Sequence, residues 1–142
     1  MNQPTMTQAQ ALDRVEQLIR ETAAALTPQP RLELLPSSVA PHTCLDQGKS
    51  ENQLVIYRAY WLRDLPRADN MNIARQVQAY WEKRGHVITA TGGFHDGAPT
   101  VHGESRPDGF LLALVWAEGD DLYLASTSTC VWPNGSPPAD SP

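Results

Sequence analysis

The sequence predicts one α+β domain, in which an antiparallel β-sheet carries two helices on one face as a two-layer sandwich. Two segments have apolar residues at helical spacing, and six segments are rich in β-branched and aromatic residues. Their order is helix, two strands, helix, and then a run of four strands, which favours an antiparallel sheet. The length of 142 residues is enough for a single core.

The first helix is predicted over residues 8–26. Thr7 and Gln10 fit a capping box at its start, and Pro28 and Pro30 cannot continue it. Its apolar residues recur at steps of three and four, which confines them to one face. This stripe consists of Leu12, Val15, Ile19, Ala23 and Leu26.

The second helix is predicted to begin at Asp69 or Asn70, either of which can act as an N-cap, and to end near Gly85. Its large apolar residues again lie at helical spacing and predict a face packed on the sheet. They are Ile73, Val77, Tyr80 and Trp81.

The strands are assigned from β-branched and aromatic content. A short strand is predicted over residues 31–35, followed by a loop over 36–52 that is rich in Pro, Ser, Gly and Lys. A long strand follows over 54–65, with Val55, Tyr57, Ala59 and Trp61 on one face and Ile56, Arg58, Tyr60 and Leu62 on the other. The remaining strands are predicted over 86–91, 99–105, 110–117 and 122–131, and a Glu-Gly-Asp-Asp turn joins the last two.

The two ends of the chain are polar and lack periodicity. We expect a flexible tether over residues 1–7, the folded domain over 8–132, and a disordered Pro-rich tail over 133–142. The opening residues lack the charged and apolar regions of a signal peptide. We therefore expect that any signal or lipid anchor preceded Met1 in a longer precursor.

The two cysteines, Cys44 and Cys130, each lie beside a predicted strand and form no C-x-x-C pattern. An even count is compatible with one disulfide, which in the chain-entropy model contributes about 4 kcal/mol. The alternative is two buried free thiols in a cytosolic protein. We predict the disulfide, and with it an oxidising compartment.

Charge and motifs exclude several function classes. The net charge is −5, and the eleven Lys and Arg residues are scattered, so we expect neither nucleic-acid binding nor a polybasic membrane patch. Neither a dinucleotide-binding nor a phosphate-binding glycine motif is present, and we expect no cofactor. Ser126 and Ser128 lack the surroundings of a hydrolase nucleophile.

The densest polar cluster lies between Gly92 and Glu104. A hairpin here could bring His95 and His102 together, with Glu104 as a further ligand or a general base. Because the spacing matches no zinc signature and the glycines also suit a plain turn, we predict that these residues are not a metal site.

Most of the aromatic residues fall on predicted core stripes. Tyr60 lies on the more polar face of its strand, and Trp132 lies beside the predicted disulfide and the tail. These two residues are the sequence-based candidates for a binding surface.

Four features together resemble the small exported or lipid-anchored domains of actinobacteria, over residues 8–133. They are Cys44 in its Pro-rich loop, AYWEKRGH at 79–86, PDGFLLAL at 107–114 and STSTCVWP at 126–133. The resemblance implies a location in the cell envelope, paired cysteines near the ends of the sheet, and no shared catalytic residues.

The leading functional hypothesis is a non-enzymatic binding or accessory module, exposed on the cell envelope, whose partner is a protein or a cell-wall component. An interaction protein of the immunity or inhibitor type is the first alternative, because small acidic domains also block basic toxin surfaces. A metal-assisted hydrolase built on His95, His102 and Glu104 is the second alternative.

Overall fold

A computed structural model describes residues 5–40, 42–44 and 53–136. The predicted fold class is confirmed: a six-stranded sheet carries two helices, and every pair of neighbouring strands is antiparallel. The helices are α1 (Gln8–Ala24) and α2 (Asn70–Lys83). The strands are β1 (Arg31–Leu34), β2 (His42–Thr43), β3 (Leu54–Val55), β4 (Tyr57–Arg63), β5 (Val87–Gly92), β6 (Thr100–Glu104), β7 (Leu111–Ala117) and β8 (Asp121–Thr127).

The strand order in the large sheet is β1-β4-β8-β7-β6-β5, and β2 and β3 form a separate two-stranded ribbon. Helix α1 packs against β4 and β8, whereas α2 packs against β5 and β6. Both helices therefore cover the same face, and the hydrophobic core lies between them and that face.

Helix α1 begins as predicted. The Thr7 hydroxyl accepts from the Gln10 backbone N–H, and the Gln10 side chain accepts from the Thr7 N–H, so the capping box is formed. The helix ends at Ala24, two residues before the predicted end at Leu26. Its buried residues are Ala11, Val15, Leu18, Ile19, Thr22 and Ala23.

Helix α2 starts at the predicted place, but its start is secured in a different way. The Asp69 side chain makes no capping hydrogen bond. The Asn70 side-chain amide instead donates to the carbonyl of Asp120, which ties the helix to the turn between β7 and β8. Ile73, Val77 and Trp81 are buried as predicted, whereas Tyr80 is only half-buried.

Two predicted strands have different bounds in the structure. The segment 54–65 divides into β3 and β4, and β8 ends at Thr127 rather than near residue 131. Ser128 explains both changes, because its hydroxyl accepts from the N–H of Ile56 and its own N–H donates to the carbonyl of Ile56. Past this point Val131 pairs with Leu54 instead of continuing the large sheet.

Cys44 and Cys130 are joined in a disulfide, with their Cα atoms 5.9 Å apart. The predicted pairing is confirmed, and it indicates an oxidising, extracellular setting. The bond fastens the small ribbon to the segment that follows β8. No helix within the described residues is long and apolar enough to span a membrane.

Hydrogen-bonded structure extends past both predicted boundaries of the domain. The N–H of Thr5 donates to the carbonyl of Gly135, and the N–H of Gln8 donates to that of Pro133. Residues 5–7 of the predicted tether and 133–135 of the predicted tail are therefore part of the hydrogen-bonded fold. The rest of both predictions, at 1–4 and 137–142, lies outside the described residues, as do position 41 and the loop section 45–52.

Candidate binding surface

The second face of the large sheet carries no helix in the part of the chain that the structure describes. Alternate residues of each strand point to this face, and β4 shows which residues these are. The Tyr60 hydroxyl contacts α1 through Glu16, so Tyr57, Ala59 and Trp61 point away from the helices. The faces predicted for β4 are thus confirmed, and we call the helix-free side the open face.

Strand register brings four alanines into one row across the open face. Ala59 of β4 lies opposite Ala125 of β8, which lies opposite Ala113 of β7. His102 of β6 continues the row beside Ala113, and Ala90 of β5 lies next to His102. Since alanine ends at Cβ, this row is lower than the rows on either side of it.

Larger side chains stand on both sides of the alanine row. Tyr57, Thr127 and Leu111 are paired across β4, β8 and β7 and form one wall. Trp61, Tyr123 and Val115 are paired across the same strands and form the other wall. The result is a groove that runs across the strands, which we call the alanine trough.

The trough has a volume of about 490 Å³. Its floor from Ala125 to Ala90 spans three strand spacings, or roughly 14 Å, and its walls are four residues apart along each strand, or roughly 13 Å between Cα atoms. Ala59 is only 1 % exposed and does not line this cavity. The trough opens at β5, the edge strand of the sheet, where Thr89 and Ala90 are exposed.

The aromatic residues on the walls have polar atoms that no described residue satisfies. The hydroxyls of Tyr57 and Tyr123 and the indole N–H of Trp61 make no hydrogen bond within the described part of the chain. Burial raises the pKa of Tyr57, and the neighbouring Tyr123 raises it further, so the Tyr57 phenol is neutral at physiological pH. Trp61 and Tyr123 meet edge to face at 5.6 Å.

Charge is confined to the rim. The residues that line the trough include no Asp, Glu, Lys or Arg. Beyond the Trp61 wall, Arg63 pairs with Glu33 at 3.0 Å and with Asp121 at 3.7 Å, and its guanidinium lies over the Trp61 ring. These charged groups are already engaged with one another, so the trough itself presents a neutral surface.

The two aromatic residues selected from the sequence as a binding surface are buried. Tyr60 is 8 % exposed, its hydroxyl donates to Glu16, and the Arg20 guanidinium lies over its ring. Trp132 is 3 % exposed, and its backbone N–H donates to the Thr5 hydroxyl. Both side chains are buried, so neither forms an exposed surface, and Tyr60 is covered by residues of α1 that lie 40 or more positions earlier.

The histidines of the Gly92–Glu104 stretch are not brought together. His95 lies in the turn between β5 and β6, whereas His102 is inside β6 opposite Ala90. Glu104 bonds Arg106 at 2.6 Å. Among the described residues, no group of three or more His, Cys, Asp or Glu is arranged to hold a metal ion.

A polar cluster at the turn between β6 and β7 has a structural role. Asp108 accepts from Arg14 of α1 at 2.7 Å and from the Ser105 hydroxyl at 2.5 Å. Burial alone would raise the pKa of Asp108, but these two hydrogen bonds, together with the charge of Arg14 and a backbone hydrogen bond, lower the pKa. The Nδ1 atom of His86 accepts from the Arg106 N–H, so this histidine is not placed as a base for Ser105.

Ser126 in β8 and Ser128 just after it are also buried parts of the fold. Besides its contacts with Ile56, the Ser128 hydroxyl donates to the carbonyl of Thr129. The Ser126 hydroxyl is buried without a hydrogen-bond partner among the described residues. Among the described residues, neither hydroxyl is hydrogen-bonded to a histidine.

A second cleft, of about 390 Å³, lies beside the start of α1, between Leu12, Val39 and Ile56. Its charged residue, Arg58, is held by the carbonyls of Val39 and Tyr57. The other polar side chain of its lining is Gln8, whereas the alanine trough is larger and is lined by Tyr57, Tyr123 and His102, so the trough is the better candidate site.

Comparisons with known proteins identify no relative: no family model, no curated protein and no solved structure matches this chain. The chemistry of the site is therefore the basis of the proposed function.

Proposed function

We propose that this chain is a non-enzymatic binding module, exposed on the cell envelope, and that the alanine trough is its ligand-binding surface. The observation that carries the proposal is a groove on the open face that is lined by no Asp, Glu, Lys or Arg, with two wall tyrosines whose hydroxyls have no partner among the described residues. Pockets that bind ligands combine apolar lining with a few convergent polar groups.

The polar clusters that would suit catalysis are used elsewhere in the fold. Asp108 and Ser105 hold a turn, and His86 accepts from the backbone of that turn. A binding role needs none of these groups to be free. The Cys44–Cys130 disulfide supports export, and we infer a secreted or lipid-anchored protein whose partner is a protein or a cell-wall component.

Photo-crosslinking from two matched positions tests this proposal. Leu111 forms part of a trough wall and is 55 % exposed. Leu34 lies on the edge strand β1 and is 38 % exposed, but its side chain points to the helix side. A benzophenone amino acid at each position can insert into C–H bonds of any nearby ligand, whether it is a protein or a glycan.

Both labelled proteins would be irradiated with an envelope extract of the source organism. We expect light-dependent adducts at position 111 in at least several-fold excess over those at position 34. Equal yields at the two positions, or no adducts at 111, would contradict the assignment of the open face as the binding surface.

A further inference from the structure

We propose that the ligand of the alanine trough is a linear, uncharged polysaccharide chain that lies across the strands along the alanine floor. This inference rests on the proposed function and adds the chemical class of the ligand. Three observations support it: the shape of the trough, the chemistry of its lining, and the fact that the backbone groups of the strands beneath it are already hydrogen-bonded in the sheet.

The shape favours a narrow chain over a bulky element. The walls are roughly 13 Å apart between Cα atoms, and Tyr57 and Tyr123 occupy part of that distance with their rings. An α-helix with its side chains is about 10–12 Å across and would displace these rings. A chain one sugar unit wide fits between them, and its free end leaves over Ala90 at the open end.

The chemistry of the lining matches a neutral sugar. A pyranose ring has C–H faces that pack on alanine methyls and aromatic rings, and hydroxyl edges that need hydrogen-bond partners. The trough supplies methyls from Ala113 and Ala125, and polar groups from Tyr57, Tyr123 and His102. The absence of charged residues from the lining gives no attraction for an acidic ligand.

An extended peptide is a poorer match for the same surface. The backbone groups of β8, β7 and β6 are used in the sheet ladders on both sides of each strand. A peptide laid across this face would find no free backbone groups of these strands to pair with its own N–H and C=O groups. A sugar chain can instead direct its unmatched hydroxyls to water.

A second copy of the chain also fits poorly. Two identical concave faces placed together would leave both troughs empty, which forfeits the close packing of stable interfaces. The exposed aliphatic residues Leu111 and Val87 stand at the margin of the open face rather than at its centre. A hydrophobic interface core would need them in the middle.

Isothermal titration with a panel of oligosaccharides tests the inference. The neutral probes are gluco-, manno-, arabinogalacto- and N-acetylglucosamine oligomers, and hyaluronan oligomers are the anionic control. We expect at least one neutral probe to bind with a micromolar to low-millimolar Kd. Hyaluronan should bind at least tenfold more weakly, because the lining has no lysine or arginine to pair with its carboxylates.

Three variants connect this binding to the trough. Ala113→Leu should fill the floor, and Tyr123→Ala should remove a wall; each should lower affinity at least tenfold. Tyr123→Phe keeps the ring and removes the hydroxyl, so its loss should be smaller than that of Tyr123→Ala. Leu34→Ala is the control and should bind like the parent, and circular dichroism melting would verify that every variant folds.

Three outcomes would overturn the inference. If no neutral probe binds and the adducts at position 111 are destroyed by protease, the ligand is a protein, and only the choice of ligand class is wrong. A dimer in sedimentation that Ala113→Leu abolishes would identify a second copy as the occupant. If there are no position-specific adducts at all, the proposed function fails together with this inference.

Discussion

The two faces of the sheet are built from alternate residues of the same strands, yet they differ in how they use space. Leu124 points to the helices and is 1 % exposed, whereas its neighbour Tyr123 points to the open face and is half-buried. On the helix side, large aliphatic residues fill the volume beneath α1 and α2. On the open face, a row of alanines leaves volume unfilled between two walls.

The same contrast holds for the polar atoms of the aromatic residues. On the helix side, the Tyr60 hydroxyl donates to Glu16, and the Trp81 indole N–H donates to Thr22 at 2.9 Å. On the open face, the corresponding atoms of Tyr57 and Tyr123 have no partner among the described residues. The aromatic polar atoms on the helix side are hydrogen-bonded within the protein, whereas those on the open face are left for solvent or a ligand.

The largest expected difference between the faces is in stability. Leu124→Ala should lower the free energy of unfolding by about 2–5 kcal/mol, because it opens a cavity beneath the helices. Tyr123→Ala should cost less than about 2 kcal/mol, since it removes one half-buried ring and its contact with Trp61. Urea unfolding measures both, and equal losses would show that the open face belongs to a packed core.

A smaller effect is expected where α1 is tied to the sheet through Asp108. Asp108→Asn should cost about 1 kcal/mol near neutral pH, because it weakens a partly exposed pairing with Arg14. The pKa of Asp108 is lowered in the folded protein, so its contribution is present above about pH 4 and is lost as the pH falls through the folded pKa.

Urea unfolding across pH therefore checks both the size and the sign of the Asp108 effect. The parent and Asp108→Asn should differ most near neutral pH and converge as the pH falls below about 4. A difference that grows on acidification would contradict the assigned direction of the pKa shift.

The sequence predicted the features that depend on local periodicity. The stripe through Val77 and Trp81 and the two faces of β4 follow from spacing within one segment, and the structure confirms them. The Thr7 cap is local in the same sense. Tyr60 was misassigned because the residue that buries its hydroxyl, Glu16, is 44 residues away.

The alanine trough was missed for a similar reason. Within single strands a signal exists: Ala59, Ala113 and Ala125 each have larger residues two positions away on both sides. Alternation places such an alanine in a depression of its own strand. Whether these depressions line up depends on strand order and register: Ala113 pairs with Ala125 across a hairpin, and Ala59 pairs with Ala125 from a strand more than 60 positions away. A pattern within one strand encodes neither pairing.

The account's central claim is that ligand binds in the alanine trough, and methyl NMR of alanine-labelled protein tests it most directly. The neutral oligosaccharide that binds most tightly would be titrated into the protein. We expect shifts at the methyls of Ala90, Ala113 and Ala125, with Ala11 and Ala74, which lie on the buried faces of α1 and α2, unchanged. Shifts centred on Ala11 or Ala74, with the trough methyls unmoved, would contradict the claim.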